Sequence, residues 1–370
     1  MKRKTLGILG GGQLGRMLAL AAQPLGVRVT VVDPDEHAPA QVAAEHVPLP
    51  YDDWDALDEL GLSDVVTFEF ENVPEDSLKR LERLRPVFPR ANALRAAQDR
   101  WEEKSLFLEL GISAARTLRI DTSEDAEKAF DELGPYLLKT RRLGYDGKGQ
   151  IFVTDRSRAA EAHAELQGVP CVAEEKVNFQ RELSVVLCRG QDGTIVSYPV
   201  VQNTHKSGIL HLSLCPAPNM SPELEAKAKS LATRLAEKLD YVGVLALELF
   251  ERDGELLANE FAPRVHNSGH FSIEGSVTSQ FENHVRAVLG FPLGSTDPVG
   301  YSAMVNLIGD LREPAALLAL PDVHLHDYGK EPRKNRKVGH VTVRAQSREE
   351  LDARLAEVLA IVSAPSSASA

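Results

Sequence analysis

Two glutamates stand where a buried sheet has little use for them: Glu248 inside VLALELF and Glu260 inside LLANEF. Carboxylates are rare in strand interiors unless they are paired or bound to a cation. With Asn259 they offer hard oxygen donors of the kind that suits Mg²⁺ bridging nucleotide phosphates. Register decides whether the pair can act together. A two-residue turn at Asp253-Gly254 puts the acids on opposite faces of the hairpin. A three-residue loop with Gly254 in a left-handed bulge puts both on one face, and the metal reading requires that arrangement. The alternative is two solvated acids on the outer face of an edge hairpin.

Directly after this pair comes NEFAPRVHNSGH, with Arg264, His266, Asn267, Ser268 and His270 inside seven residues. Such a density of donors suits an anionic, oxygen-rich reacting group. A second cluster, LLKTRRLGYDGKGQ, ends a strand at Lys139 and continues through Gly144, Tyr145, Asp146, Gly147, Lys148, Gly149 and Gln150. Its glycines let backbone N–H groups turn toward phosphate oxygens while the lysines supply countercharge. No G-K-[ST] follows, so it is not a Walker A loop; a glycine-rich surface hairpin is the plain alternative. Near the other end, YGKEPRKNRKVGH carries Lys330, Arg333, Lys334, Arg336 and Lys337, either a phosphate grip or a solvated loop. The first residues, LGILGGGQLGRM, set Gly10, Gly12 and Gly15 on G-x-G-x-x-G, and VRVTVVD ends at Asp33. That spacing fits a dinucleotide fingerprint, but its physics asks only for an anionic group at a helix N-terminus.

The elements that position these groups follow from periodicity. Thr5–Leu9, Val27–Val32 and Val65–Phe70 read as buried strands with a helix over Gln13–Leu25, a βαβ order that implies a small parallel sheet. Helices follow over Trp101–Leu110 and Glu124–Leu133. Hairpins at Asp192-Gly193 and Asp253-Gly254 flank a long amphipathic helix, Pro222–Leu239. SAMVNLIG, VHLHDYGK and KVGHVTVRA read as a small antiparallel unit before a last helix, Glu349–Val362, and a small polar tail expected to lack structure. The fold class is α/β, with expected divisions at 1–100, 101–175, 176–295 and 296–370.

Composition narrows the function. Lys and Arg number 42 against 54 Asp and Glu, a net charge of −12, which argues against a general nucleic-acid binder. Cys171, Cys188 and Cys215 match no zinc spacing and read as small buried residues of a reducing cytoplasm. The basic start runs into glycines rather than a signal-peptide core, and no apolar run approaches the ~18 residues of a membrane span.

In chain order, GILGGGQLGRM, TFEFENV, GYDGKGQ, NEFAPRVHNSGH and GHVTV resemble the ATP-grasp superfamily, and within it the purine-biosynthesis ligases that carboxylate an aminoimidazole ribonucleotide. The resemblance runs from Gly7 to Val343, departing at Val265 and Lys334, where those ligases have proline. It implies an ATP-grasp fold with an N-terminal Rossmann-like preATP-grasp domain and a small C-terminal β-rich unit. It also implies ATP and Mg²⁺ as cofactors, aminoimidazole ribonucleotide and bicarbonate as substrates, and a homodimer. By the same resemblance Arg264, His266, Asn267 and Lys148 carry the chemistry. Arg100, Lys139, Glu174, Glu175, Lys176, Val177, Glu182, His205, Asn259 and Glu260 belong to the nucleotide site, with residues 144–150 as its lid. Gln13, Leu14, Glu71, Tyr145, Ser268, Lys330, Arg336 and Lys337 contact the ribonucleotide, and Glu248 and Glu260 hold the metal. Two alternatives stand beside it: a sibling ATP-grasp ligase such as a formate-dependent glycinamide ribonucleotide transformylase, and an NAD(P)-binding oxidoreductase.

Overall fold

The computed structural model describes residues 3–144 and 148–364. Three sheets carry the chain. The first contains β1 (Thr5–Leu9), β2 (Arg28–Val32), β3 (Glu45–Val47) and β4 (Val65–Phe68), all parallel, in the order β3-β2-β1-β4. Its central strands are apolar along their length because helices cover both faces. The crossover helix Gln13–Ala22 is shorter than its periodicity suggests; Pro24 follows in a 3₁₀ turn, Gln23–Leu25, that Gly26 closes in the left-handed conformation. The strands β1, β2 and β4 all end on one side of the sheet. There Gly10, Asp33 and Glu69 begin the loops that lead to the site, as expected for the carboxyl edge of a parallel sheet.

The second sheet is antiparallel, in the order β5-β8-β6-β7, with β5 (Thr117–Ile120), β6 (Tyr136–Thr140), β7 (Gln150–Val153) and β8 (Cys171–Glu175). Lys139 on β6 lies opposite Gln150 on β7 and Val172 on β8. The helix Ser123–Leu133 begins in a reciprocal capping box between Thr122 and Asp125 and covers one face.

The third sheet has nine strands: β9 (Arg181–Arg189), β10 (Ile195–Ser197), β11 (Val201–Lys206), β12 (Ile209–Cys215), β13 (Gly243–Arg252), β14 (Glu255–Ala262), β15 (Tyr301–Ile308), β16 (Val323–Asp327) and β17 (Lys337–Ala345). The C-terminal strands do not close on themselves as a separate sheet. β15 pairs with β12, so β17 and β16 continue the large sheet.

Both faces of the central strands are buried, each against a different partner. Leu183, Val185, Leu187, Leu245 and Leu247 pack on the helix Pro222–Lys238. Their neighbours Val186, Cys188, Val244 and Ala246 join a core with the helices Gln13–Ala22 and Gln280–Leu289. Burying one such aliphatic side chain contributes about 1.5–3 kcal/mol. The helix Gln280–Leu289 thereby fastens the large sheet to the first, and Thr67 Oγ1 lies 2.8 Å from His284 Nε2 across that junction.

Candidate active site

One cleft of about 660 Å³ runs between the three sheets. At its middle lie Glu248 and Glu260, and the register that brings them together is not the expected one. The hairpin turn has two residues, Asp253 and Gly254, both at positive φ (53° and 78°), the pattern of a type I′ turn. From Arg252↔Glu255 to Leu249↔Ala258 that register would leave the two acids on opposite faces. A β-bulge corrects it. Between Leu249↔Ala258 and Leu247↔Phe261, Asn259 and Glu260 together oppose Glu248, and the extra residue carries Glu260 round to the face of its partner. The three-residue loop is thus replaced by a tight turn with a bulge farther along the strand.

Neighbouring charges treat the two carboxylates differently. Burial and then the nearby Glu260 charge push Glu248 up to about 7. Burial acts on Glu260 in the same direction, but Arg100, Lys139 and Lys104 outweigh it and hold its carboxyl low. Arg100 Nη1 stands 3.1 Å from Glu260 Oε2, and His266 Nε2 stands 3.3 Å from Glu248 Oε1. Among the described residues no group of three or more His, Cys, Asp or Glu side chains could hold a metal ion by itself. Two facing carboxylates that disfavour each other's charge fit a cation whose remaining ligands come from phosphate and water, as Mg²⁺ prefers.

Beneath the pair lies a buried charge network. Lys139 Nζ donates to Glu174 Oε2 at 2.6 Å, and Lys104 Nζ lies 3.7 Å from Glu174 Oε1 while donating to the Asn259 carbonyl. The two ammonium groups overcome the burial penalty and draw the Glu174 carboxyl down to about 2. Glu103 accepts from the Phe261 N–H at 2.7 Å, and burial pushes it up to about 8. Glu174 is only 3% exposed and so holds Lys139 in place without lining the cleft. Lys104 and Glu103 were not foreseen. Their signal was the run RWEEK, charged on all sides of the helix Arg100–Glu109, where one charged face must turn inward.

Lys139, Gly144, Lys148, Gln150, Glu182 and His205 line the neighbouring part of the cleft. His205 Nδ1 is hydrogen-bonded to Glu182 Oε2; burial alone would lower the ring's pKa, but this bond and the nearby Glu248 raise it. Glu175 ends β8, and Lys176 and Val177 begin the connection to β9; none of the three lines the cleft, and the Lys176 ammonium sits over the Phe152 ring. Gly149 takes φ 70° and its carbonyl accepts from the Thr140 N–H at 2.8 Å. Tyr145, Asp146 and Gly147 lie outside the described residues.

Past the carboxylates come Arg264, His266 and Asn267. Arg264 Nη2 is 2.9 Å from Glu71 Oε1, which binds the end of β14 to the loop after β4. The Ser268 N–H donates to His266 Nδ1 at 3.3 Å, and its hydroxyl lies 2.8 Å from the same nitrogen. Nδ1 is therefore an acceptor, and the proton of the neutral ring sits on Nε2, facing Glu248. Burial, then Arg264 and Lys337, keep the ring neutral. Asn267 and Asn306 form a reciprocal amide pair at 2.5 and 3.2 Å, so β15 orients a residue of this loop. Asn306 was not foreseen either; an asparagine within the apolar run SAMVNLIG was its trace. Ser268 is fully buried and supports His266 without reaching the cleft surface.

At the far end, the N–H of Gly11 donates to Asp33 Oδ2 and that of Gly12 to Glu69 Oε1, both at 2.7 Å. Cβ atoms at Gly10 and Gly12 would lie 2.8 and 2.7 Å from Glu69 atoms. These glycines make room for an acidic side chain. The helix Gln13–Ala22 that follows has no side-chain cap, and Gln13 and Leu14 line the cleft. Lys330 Nζ donates to Gln13 Oε1, and Lys337 lines the same end. Arg336 does not; its guanidinium donates to the Glu331 carbonyl at 3.2 Å.

Three family profiles match successive parts of the chain. The family profile of the ribonucleotide synthetase preATP-grasp domain matches residues 3–98, that of the ATP-grasp domain 105–281, and that of the phosphoribosylaminoimidazole carboxylase C-terminal domain 302–354. The N5-carboxyaminoimidazole ribonucleotide synthase of Pseudomonas aeruginosa is 49% identical over 361 residues, spanning 97% of this chain and 99% of its own. The chain belongs to the N5-carboxyaminoimidazole ribonucleotide synthase family. The crystal structure of the synthetase from Thermus thermophilus matches with a TM-score of 0.93 at 49% identity, covering 97% of this chain and 99% of that one. That of the Aspergillus clavatus enzyme in complex with ADP and 5-aminoimidazole ribonucleotide matches with a TM-score of 0.91 at 32% identity, covering 97% and 98%.

As a member of this family the chain is an ATP-grasp ligase of purine biosynthesis, and the oxidoreductase alternative falls. The structure gives a physical reason: Glu69 already occupies the glycine loop where a dinucleotide would bring its pyrophosphate. The two departures from the family pattern are absorbed locally. Val265 is buried in the core, and the turn after Lys334 is made by Asn335 at φ 63°, a conformation asparagine tolerates.

Proposed function

We propose that the cleft carboxylates 5-aminoimidazole ribonucleotide with bicarbonate and ATP, through carboxyphosphate, giving ADP and phosphate. The observation that carries this reading is the order of contacts along one cleft. Glu182 and His205 are bonded to each other and act on Glu248, while Lys139 acts on Glu260; His266 touches Glu248, Arg264 touches Glu71, and Gln13 touches Lys330. A nucleotide at the first end would direct its terminal phosphate at the carboxylate pair. A ribonucleotide phosphate at the other end would meet the helix N-terminus at Gln13 and Leu14 together with Lys330 and Lys337. Arg264, His266 and Asn267 stand between the two.

Bicarbonate is a poor electrophile. Phosphorylation turns one of its oxygens into a leaving group, and the exocyclic amine then attacks the carboxyl carbon while phosphate departs. Arg264 carries a permanent charge for the anionic intermediate, and the Nε2 proton of neutral His266 and the Asn267 amide supply directional hydrogen bonds. Glu248 and Glu260, with Asn259, would hold Mg²⁺, which screens phosphate charge when bound. Lys148 and Gln150 come from the segment that would cover the phosphates and keep water from the intermediate. The reading extends to a cytoplasmic homodimer; its three cysteines, all buried and outside any disulfide, suit a reducing compartment.

The test is release of ADP and phosphate with each substrate omitted in turn. Turnover should require both bicarbonate and the aminoimidazole ribonucleotide. Equal turnover with formate and glycinamide ribonucleotide would overturn the reading.

A further inference from the structure

His266 is gripped from behind by a single side chain that no motif above contains. Gln280 opens the helix Gln280–Leu289 and is fully buried. Its carboxamide holds the His266 residue at both backbone groups: Oε1 accepts from the His266 N–H at 3.0 Å, and Nε2 donates to the His266 carbonyl at 2.7 Å. The same Nε2 lies 3.2 Å from His270 Nδ1. The backbone N–H of Gln280 donates to Ser272 Oγ at 2.9 Å, and that hydroxyl donates to the Gly269 carbonyl at 2.6 Å. Gly269 is where the close approach is made possible, since a Cβ there would lie 2.5 Å from Gln280 Oε1. The motif HNSGH is thus wrapped around one amide: Gly269 leaves it space, His270 faces its remaining hydrogen, and Ser268 sets the ring that it steadies.

We propose that Gln280 is a positioning residue for the activation of bicarbonate, holding the His266 backbone so that Nε2 stays aimed at Glu248 and the reacting group. The proposal rests on the reading that this chemistry occurs beside Arg264 and His266. The physical argument is one of rigidity. His266 has extended backbone between a strand and a single 3₁₀ turn; the Gly269 N–H donates to its carbonyl at 3.0 Å, and its own N–H is bonded by Gln280 rather than by a strand ladder. Two hydrogen bonds from one planar amide define its position and its tilt together. A displacement of about 1 Å at a catalytic group can cost on the order of a hundredfold in rate. An amide donates and accepts here without a charge at every working pH; an ionised carboxylate would set a negative oxygen against the His266 carbonyl.

The test uses Gln280→Met, which keeps length and loses both bonds, and Gln280→Glu, which keeps shape. For Gln280→Met, kcat should fall about ten- to a hundredfold while ADP affinity stays within about twofold of wild type. For Gln280→Glu, the ratio of its kcat to that of wild type should be low at pH 8 and rise as pH falls. A protonated carboxyl restores one donor and one acceptor toward His266; the titratable and charged groups around it are His266 and His270, with Arg264, Lys337 and His326 acting on those rings. Wild-type kcat in Gln280→Met overturns the proposal, as does an equal loss of ADP affinity, which would mark a general defect in folding. A ratio for Gln280→Glu that does not change with pH overturns it as well, and decides the matter alone if the methionine variant does not fold. Bicarbonate-dependent turnover of the wild type, measured first, tests the underlying reading separately.

Discussion

Lys330 donates a hydrogen bond to the side-chain oxygen of Gln13, joining residues 317 positions apart. Gln13 is the first residue of its helix, where unsatisfied N–H groups favour an anion, and Lys330 brings a positive charge to the same point. The first and last parts of the chain therefore form one wall of the cleft.

Lys330→Met should raise the Michaelis constant for the aminoimidazole ribonucleotide about ten- to a hundredfold, the ~1.5–3 kcal/mol of a charge-assisted contact, and leave that for ATP nearly unchanged. Arg336→Ala should have a smaller effect, because Arg336 is turned toward Glu331. Burial, with Arg336 and Lys337 nearby, pushes the Lys330 ammonium down to about 8, against the opposing pull of Glu69. The charged form exists below that value, so ribonucleotide affinity should weaken as pH rises through about 8. A Michaelis constant that stays flat from about pH 7 to 9 would count against this assignment.

Glu260→Gln should reduce turnover by about a hundredfold or more, with circular dichroism and thermal midpoint close to wild type. The bulge that presents Glu260 is made by backbone, and glutamine preserves it. The substitution removes one of two facing carboxylates and the partner of Arg100. Raising the magnesium concentration should recover part of the loss. Undiminished activity at low magnesium would remove Glu260 from the metal site.

Glu174→Gln should destabilise the fold by about 3–5 kcal/mol, since it leaves Lys139 and Lys104 buried without their shared counterion. Chemical denaturation would measure it. The native Glu174 carboxyl is held down at about 2, below the ~4.3 of an unfolded chain. Its contribution is therefore fully present above about pH 4 and is lost as pH falls toward 2. The difference between wild type and variant should shrink over that interval; a difference independent of pH there would show that the network acts through packing alone.

Gly15→Ala should cost about 1–3 kcal/mol, because its Cβ would lie 2.6 Å from the Gly10 carbonyl oxygen and only backbone can yield. Gly12→Ala meets the tip of Glu69 at 2.7 Å, and that side chain can swing aside. Its thermal midpoint should change less. Equal destabilisation by the two would mean that Glu69 is as rigidly held as backbone.

Much of this molecule was legible from local pattern. The parallel order of β1, β2 and β4 follows from short apolar runs around one helix, and the two glutamates announced themselves by interrupting apolar strands. Gly10, Gly12 and Gly15 marked close approaches, but not of what: at Gly10 and Gly12 it is Glu69, which follows β4 in the chain, and at Gly15 it is the Gly10 carbonyl. Periodicity likewise found β15, β16 and β17 without revealing that β12 recruits them into the large sheet. Strand partners depend on which edges are left open after the rest of the chain has folded, and a run of residues carries no record of that.

The carboxylate pair draws the boundary most sharply. Sequence by itself determined that Glu248 and Glu260 occupy neighbouring strands of one hairpin, and that one face must hold both if they are to share a cation. Tertiary structure alone decided how. The Asp253-Gly254 turn sets a register that separates them, and the bulge at Asn259–Glu260 reverses it, with the Asn259 carbonyl taken by Lys104 from a helix 155 positions away. A bulge costs a ladder bond locally, so it persists only where distant groups satisfy what it leaves open. Lys104, Glu103, Asn306 and Gln280 do such work around this site. RWEEK and SAMVNLIG mark three of them as unusual, but none of the four roles is written in sequence, for one reason: a buried polar side chain is defined by the partner it finds, and its partner lies in another element.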